Sequence, residues 1–210
     1  QEASHAHMIM LNELNNRAYV ANLGNDSVHM FHFKATETEN PLTYLPAVSF
    51  KVADGSGPRH VALHRQLPIV YVLNELTGTI DVWEEVANKF QLKQSLPTGR
   101  VMAKDKGSAH LLLTDDNQYL YSSDRNGYNT ISVFKVDGKN GQLTLLQTIS
   151  TNGQTPRHFT IDATGKWLVV GNQNSKSIQL FKRNIQTGLL SITNYVVGIP
   201  NPACLLPLKW

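Results

Sequence analysis

The stretch His60-Val-Ala-Leu-His64, followed by Tyr71-Val-Leu-Asn74 and Ile80-Asp-Val-Trp83, decides the fold, because the chain writes it four times. Its counterparts are His7-Met-Ile-Met-Leu11, Tyr19-Val-Ala-Asn22 and Val28-His-Met-Phe31; His110-Leu-Leu-Leu-Thr114, Tyr121-Ser-Ser-Asp124 and Ile131-Ser-Val-Phe134; and His158-Phe-Thr-Ile-Asp162, Leu168-Val-Val-Gly-Asn172 and Ile178-Gln-Leu-Phe181. The leading histidines, His7, His60, His110 and His158, recur at a nearly constant interval. The step from His7 to Asn22 is longer by one position than the steps from His60 to Asn74, His110 to Asp124 and His158 to Asn172, which are equal. A fifth unit opens at Asn201-Pro-Ala-Cys204. Within each unit, short Val/Ile/Leu/aromatic runs alternate with turn residues such as Asn15-Asn16, Asp115-Asp116-Asn117 and Ala163-Thr164-Gly165, which are strand and hairpin signals. A fourth run follows each unit's aromatic, as in Phe90-Gln-Leu-Lys-Gln-Ser-Leu96. No window carries a clean 3.6-residue period, so no helices are predicted. Four strands in about 50 residues is the size of a β-propeller blade.

The expected fold is therefore all-β, a propeller of four-stranded antiparallel blades in a single domain over residues 1–210. The blades fall at 4–53, 54–104, 105–152 and 153–198, with the start of another at 199–210. Phe31, Trp83, Phe134 and Phe181 are expected to pack between blades. Composition narrows the rest. Apolar residues make up 41% and charged residues 17%, too apolar for a disordered chain. No apolar run is long enough for a spanning helix, so no membrane partner is expected. The net charge of +3 has no Lys/Arg run behind it, so neither is nucleic acid. Cys204, the lone cysteine, sits in an apolar run and is expected to be buried.

Neighbouring strands run antiparallel, so each leading His and its Asn or Asp should share one rim at the mouth of the channel. Residues present in every blade serve the fold by default; positions that break the repeat carry information about a substrate. Before the leading His stand Ala6, Arg59, Ala109 and Arg157; after the Asn or Asp stand Leu23, Glu75, Arg125 and Gln173. Arg59 and Glu75 should be neighbours, either as a salt bridge or as part of an anion pocket. In that pocket Arg59, Arg125 and Arg157 would be carboxylate or phosphate forks, with Glu75 or a His as base. The histidines lack the short spacing of a metal-ligand pair, and no metal is expected.

These segments resemble the lactonase family of seven-bladed β-propellers, which includes bacterial-type 6-phosphogluconolactonases and fungal carboxy-muconate lactonizing enzymes. The resemblance rests on Ser4-His-Ala-His7 with Asn22-Leu-Gly-Asn-Asp26, Gly57-Pro-Arg-His60 with Asn74-Glu75, Gly107-Ser-Ala-His110 with Asp124-Arg125, and Thr155-Pro-Arg-His158 with Asn172-Gln173. Arg183-Asn-Ile-Gln-Thr-Gly188 also looks like that family's strand connection. It implies a ring of seven blades, of which this chain matches the C-terminal portion, about four and the start of a fifth. It implies a catalytic set of His7, Arg59, Glu75 and a further Arg, for which Arg125 is preferred over Arg157 on position. Arg157, His60, His110, His158 and Asn74 are then expected around the substrate. The expected activity is hydrolysis of an anionic sugar-acid or muconolactone-type lactone, without cofactor, in the cytoplasm. The missing blades, or self-association, are expected to cover the open edges. The alternative is a non-catalytic binding propeller or an inactive fragment.

Overall fold

In the computed structural model, residues 3–12, 15–99 and 107–207 are described. They form an all-β, propeller-like stack of four antiparallel sheets. The first holds β1 (Ala6–Asn12), β2 (Arg17–Asn22), β3 (Ser27–Phe33), β4 (Leu42–Tyr44) and β5 (Phe50–Lys51). Its outer position is shared by β4 and β5, which both pair with β3 on either side of a short 3-10 turn at Pro46–Val48. The second holds β6 (Pro58–Leu63), β7 (Ile69–Asn74), β8 (Thr79–Val86) and β9 (Lys89–Pro97). The third holds β10 (Ser108–Leu113), β11 (Tyr119–Asp124), β12 (Thr130–Val136) and β13 (Leu143–Ser150). The fourth holds β14 (Pro156–Ile161), β15 (Trp167–Asn172), β16 (Ser177–Arg183) and β17 (Leu190–Gly198). As the missing helical period implies, no α-helix occurs among the described residues, and no helix there is long and apolar enough to cross a membrane.

The stack is built from strands buried on both faces. Along β7, Ile69, Tyr71 and Leu73 enter the core shared with the third sheet, while Val70 and Val72 enter the core shared with the first. That is the alternating strand period serving two neighbours at once. Trp83, Phe134 and Phe181 each pack between sheets, as the repeat implies. Phe31 differs. It is only half-buried against Tyr44, because no sheet among the described residues lies on that side of β3.

Repeated hydrogen bonds latch consecutive blades. Tyr71 Oη donates to Gly141 O at 2.9 Å, and Tyr121 Oη donates to Gly188 O at 2.6 Å. The Gln94 amide both accepts from Leu143 N and donates to Leu143 O; Gln147 does the same with Leu190. Gly188 has φ +71°, and a Cβ there would collide with the Tyr119 ring, so the latch requires glycine on both counts. Inner strands β1, β6, β10 and β14 touch one another in that order, which makes them one wall. Residues 199–207 join no sheet, but Leu205 N donates to His158 Nδ1 at 3.3 Å, so this segment runs beside the inner strand β14. Cys204 is exposed rather than buried, because no further sheet among the described residues packs over its segment.

Replacing Phe134, fully buried between sheets, with Ala should cost about 3–5 kcal/mol in urea unfolding. Phe31→Ala should cost about 1 kcal/mol, the worth of one aromatic pair. Equal losses would contradict the inter-blade core.

Candidate functional site

Each inner strand carries a bulge near its start. Pro58 pairs with Asn74 and His60 with Leu73, which leaves Arg59 as the extra residue. Pro156 pairs with Asn172 and His158 with Gly171, leaving Arg157. Ala6 pairs with Asn22 and Met8 with Ala21, leaving His7. The third sheet has the same irregularity between Ser108 and Leu111. A bulge re-aims a side chain out of the alternating pattern, and here it does so on one rim.

This register corrects the alignment of the leading histidines. His7 occupies the place of Arg59 and Arg157, and Met8 takes the place of His60 and His158. The signal was the spacing: the step from His7 to Asn22 equals those from Arg59 to Asn74 and from Arg157 to Asn172. His7 therefore belongs with the residues that break the repeat.

Arg59 and Glu75 are adjacent, as the antiparallel geometry requires. Arg59 Nε lies 2.7 Å from Glu75 Oε2, and Arg125 Nη2 lies 2.6 Å from Glu75 Oε1. Arg125 Nε also donates to Gly107 O at 2.7 Å. Glu75 is thus clamped on both oxygens by guanidinium groups from two blades. The Arg59 side chain is only 2% exposed. Burial pushes its pKa down from the ordinary value to about 10, against the opposing pull of Glu75. Its Nη1 donates to Ala109 O and lies 3.4 Å from His60 Nε2. Nη2 has no partner among the described residues. Arg157 reaches only the Gln173 amide, at 3.5 Å, and pairs with no carboxylate among the described residues. With Arg59, Arg125 and Arg157 against Glu75, this rim carries cation in excess.

A row of imidazoles runs beneath it. The His7 and His60 ring centroids are 5.4 Å apart, those of His60 and His110 5.0 Å, and those of His110 and His158 3.9 Å with near-parallel planes. His60 Nδ1 and His110 Nδ1 are 2.9 Å apart. Burial, then neighbouring positive groups, pushes His60 and His110 well below the ordinary imidazole value. Burial followed by Arg59 lowers His7, with Glu75 opposing, and lowers His158. No group of three or more His, Cys, Asp or Glu among the described residues is arranged to hold a metal.

Of the residues expected around a substrate, Asn74 is placed differently. Its side chain is fully buried, donating to Thr79 Oγ1 at 3.0 Å and Asp81 Oδ2 at 2.9 Å, so it fastens its own blade. Asp124 does more, accepting from Ser108 in its own blade and from Thr98 at the end of the second. A cavity of about 480 Å³ opens at the opposite ends of the inner strands, among Thr114, Asp116, Thr160, Asp162 and Arg183. Of the three carboxylates there, Asp116 accepts from Thr114 and Gln118, Asp162 accepts from Thr164 and Trp167, and Asp115 pairs with Arg65. The cavity thus sets one guanidinium, Arg183, against three carboxylates, whereas the bulge rim sets Arg59, Arg125 and Arg157 against the single carboxylate of Glu75 and leaves Arg59 Nη2 and Arg157 for an anion. The rim is the candidate site.

Because His60 and His110 titrate lower folded than unfolded, the unfolded chain binds more protons below about pH 6.5. Their contribution is fully present above the unfolded value and is lost as pH falls beneath it. Urea unfolding midpoints should drop from pH 7 to pH 5 more in the native sequence than in His110→Gln. A pH-independent midpoint would contradict neutral buried imidazoles.

Comparisons with known proteins agree with this fold. Residues 1–207 match the family model described as "Lactonase, 7-bladed beta-propeller". The chain is 31% identical over 210 residues to a 6-phosphogluconolactonase of Bacillus subtilis, covering 98% of this chain but 58% of that protein. Among solved structures, a Bacteroides fragilis protein provisionally assigned as a 6-phosphogluconolactonase superposes with TM-score 0.89 at 31% identity, covering 97% of this chain and 58% of that one. The periplasmic gluconolactonase of Pseudomonas aeruginosa superposes with TM-score 0.86 at 26% identity, covering 94% and 55%. The chain thus spans a little over half the length of these relatives, and over that span it belongs to the lactonase family of seven-bladed β-propellers.

Proposed function

We propose that this chain forms four blades of a seven-bladed lactone hydrolase and supplies the catalytic rim. The observation that carries the reading is the juxtaposition, on one rim, of the exposed His7 imidazole, whose pKa is lowered, with guanidinium groups that outnumber the carboxylate. His7 is the general base. It is neutral near pH 7 and takes a proton from the water that attacks the lactone carbonyl carbon. Glu75 is the weaker candidate, since both its oxygens are already ion-paired with guanidinium groups. The alkoxide that develops on the carbonyl oxygen is met by Arg59 Nη2. As the tetrahedral species collapses, the ring C–O bond breaks and His7 returns its proton to the departing oxygen, giving the open hydroxy acid. Arg157, with no carboxylate partner among the described residues, binds the anionic substituent of the substrate. A phosphorylated sugar lactone suits the cationic excess, and 6-phosphogluconolactone is the proposed substrate.

The open faces support a larger ring. Ile9 and Leu11 on β1, and Tyr195, Val196 and Val197 on β17, are exposed apolar residues at the two ends of the stack. Further blades against these strands would complete the channel wall and cover two open sheet faces.

Steady-state hydrolysis tests the reading. The phosphorylated lactone should be preferred to its neutral counterpart, and EDTA should change nothing. Arg157→Ala should raise KM for the phosphorylated lactone by about 10–100-fold, as expected for one lost charged hydrogen bond. It should leave turnover of the neutral lactone nearly unchanged. Preference for neutral lactones, or loss of activity in EDTA, would overturn the assignment.

A further inference from the structure

Arginine can only donate hydrogen bonds, and this fixes more than its own position. Arg59 Nη1 lies 3.4 Å from His60 Nε2, so that nitrogen must be the acceptor and carries no proton. A neutral His60 then carries its proton on Nδ1. The only polar atom within hydrogen-bond distance of Nδ1 among the described residues is His110 Nδ1, at 2.9 Å, which must accept. His110 consequently carries its proton on Nε2. His158 follows the same rule, because its Nδ1 accepts from Leu205 N and its proton also goes to Nε2. Donors and acceptors therefore run in one direction, from Arg59 through His60 to His110.

We propose that His60 is a positioning residue of the site: as the Nδ1–H tautomer it accepts from Arg59 and donates to His110, holding the guanidinium plane so that Nη2 faces the reacting carbonyl. Three anchors define that plane. Glu75 sits at the Nε side, while Ala109 O and His60 Nε2 share Nη1. Only Nη2 is left for a substrate. Without His60, Nη1 keeps a single acceptor and the planar guanidinium is freer to pivot about the Cδ–Nε bond. The groups around His60 all favour the neutral ring: Arg59 and His7 above it, His110 beside it and His158 beyond, in a position only 9% exposed. The expectation that His60 and His110 contact substrate is thereby replaced, in this proposal, by a role one step removed.

The tautomers can be read directly, without reference to activity, from ¹⁵N spectra of the imidazoles in the unaltered protein. His60 should show a protonated, pyrrole-type Nδ1 and a pyridine-type Nε2, and His110 the reverse. A protonated Nε2 on His60 would overturn the proposal. A second arm uses kinetics and rests on the lactone-hydrolase reading. His60→Leu removes the acceptor and should lower kcat by about 10–100-fold, somewhat below the loss of a direct oxyanion donor. KM should move less than about twofold, because the groups that bind the anion are untouched. His60→Gln puts an amide oxygen near the place of Nε2 and should recover most of kcat. Equal losses in both variants, or a change confined to KM, would overturn the positioning role. Should either variant fail to fold, the ¹⁵N result on the native sequence decides. Absence of lactone hydrolysis in the native protein would count against the proposed function and leave the tautomer result standing.

Discussion

A guanidinium almost wholly withdrawn from water sits where the second and third blades meet, and the rim is arranged around it. Leaving such a charge uncompensated costs several kcal/mol, so its surroundings are constrained. Glu75 supplies countercharge from the end of β7, Ala109 a carbonyl from the next blade, and His60 a ring nitrogen from the following residue. Arg125 then binds the second oxygen of the same carboxylate. These contacts cross the blade junction, so the chemistry of the rim and the stacking of the blades are one arrangement.

The bulge connects that constraint to the sequence. A regular strand would point Arg59 and His60 to opposite faces of the sheet, into two apolar cores. The extra residue instead turns Arg59 and Arg157 onto the rim, and His7 with them. In the third blade the residue before the histidine is Ala109, which offers only its backbone oxygen and leaves room for Arg59. The non-equivalence of the four bulges is what gives an otherwise repetitive wall an asymmetric mouth.

Much of this was legible in the chain. The recurring blocks of alternating apolar runs identify the sheets, since each blade must bury both faces. Antiparallel pairing brings Arg59 to Glu75 from spacing alone. Three features were hidden. The equivalence of His7 with Arg59 turned on a single position of spacing, which a histidine-to-histidine alignment overrides. Asn74 looked like a rim residue because strand direction gives its height and not its aim; Thr79 and Asp81 draw it into the blade. Phe31 repeats the sequence of the other inter-blade aromatics, but burial depends on a neighbour that the described residues do not supply.

In the proposed function the bulge rim, not the cavity at the other end of the inner strands, receives an anionic lactone. The most direct measurement is a crystal structure of the protein with 6-phosphogluconate, the product of the proposed reaction. The phosphate is expected against Arg157 and the carboxylate within hydrogen-bond distance of Arg59 Nη2, with His7 facing the carboxylate carbon. Product bound instead among Asp116, Asp162 and Arg183, with the rim empty, would contradict it.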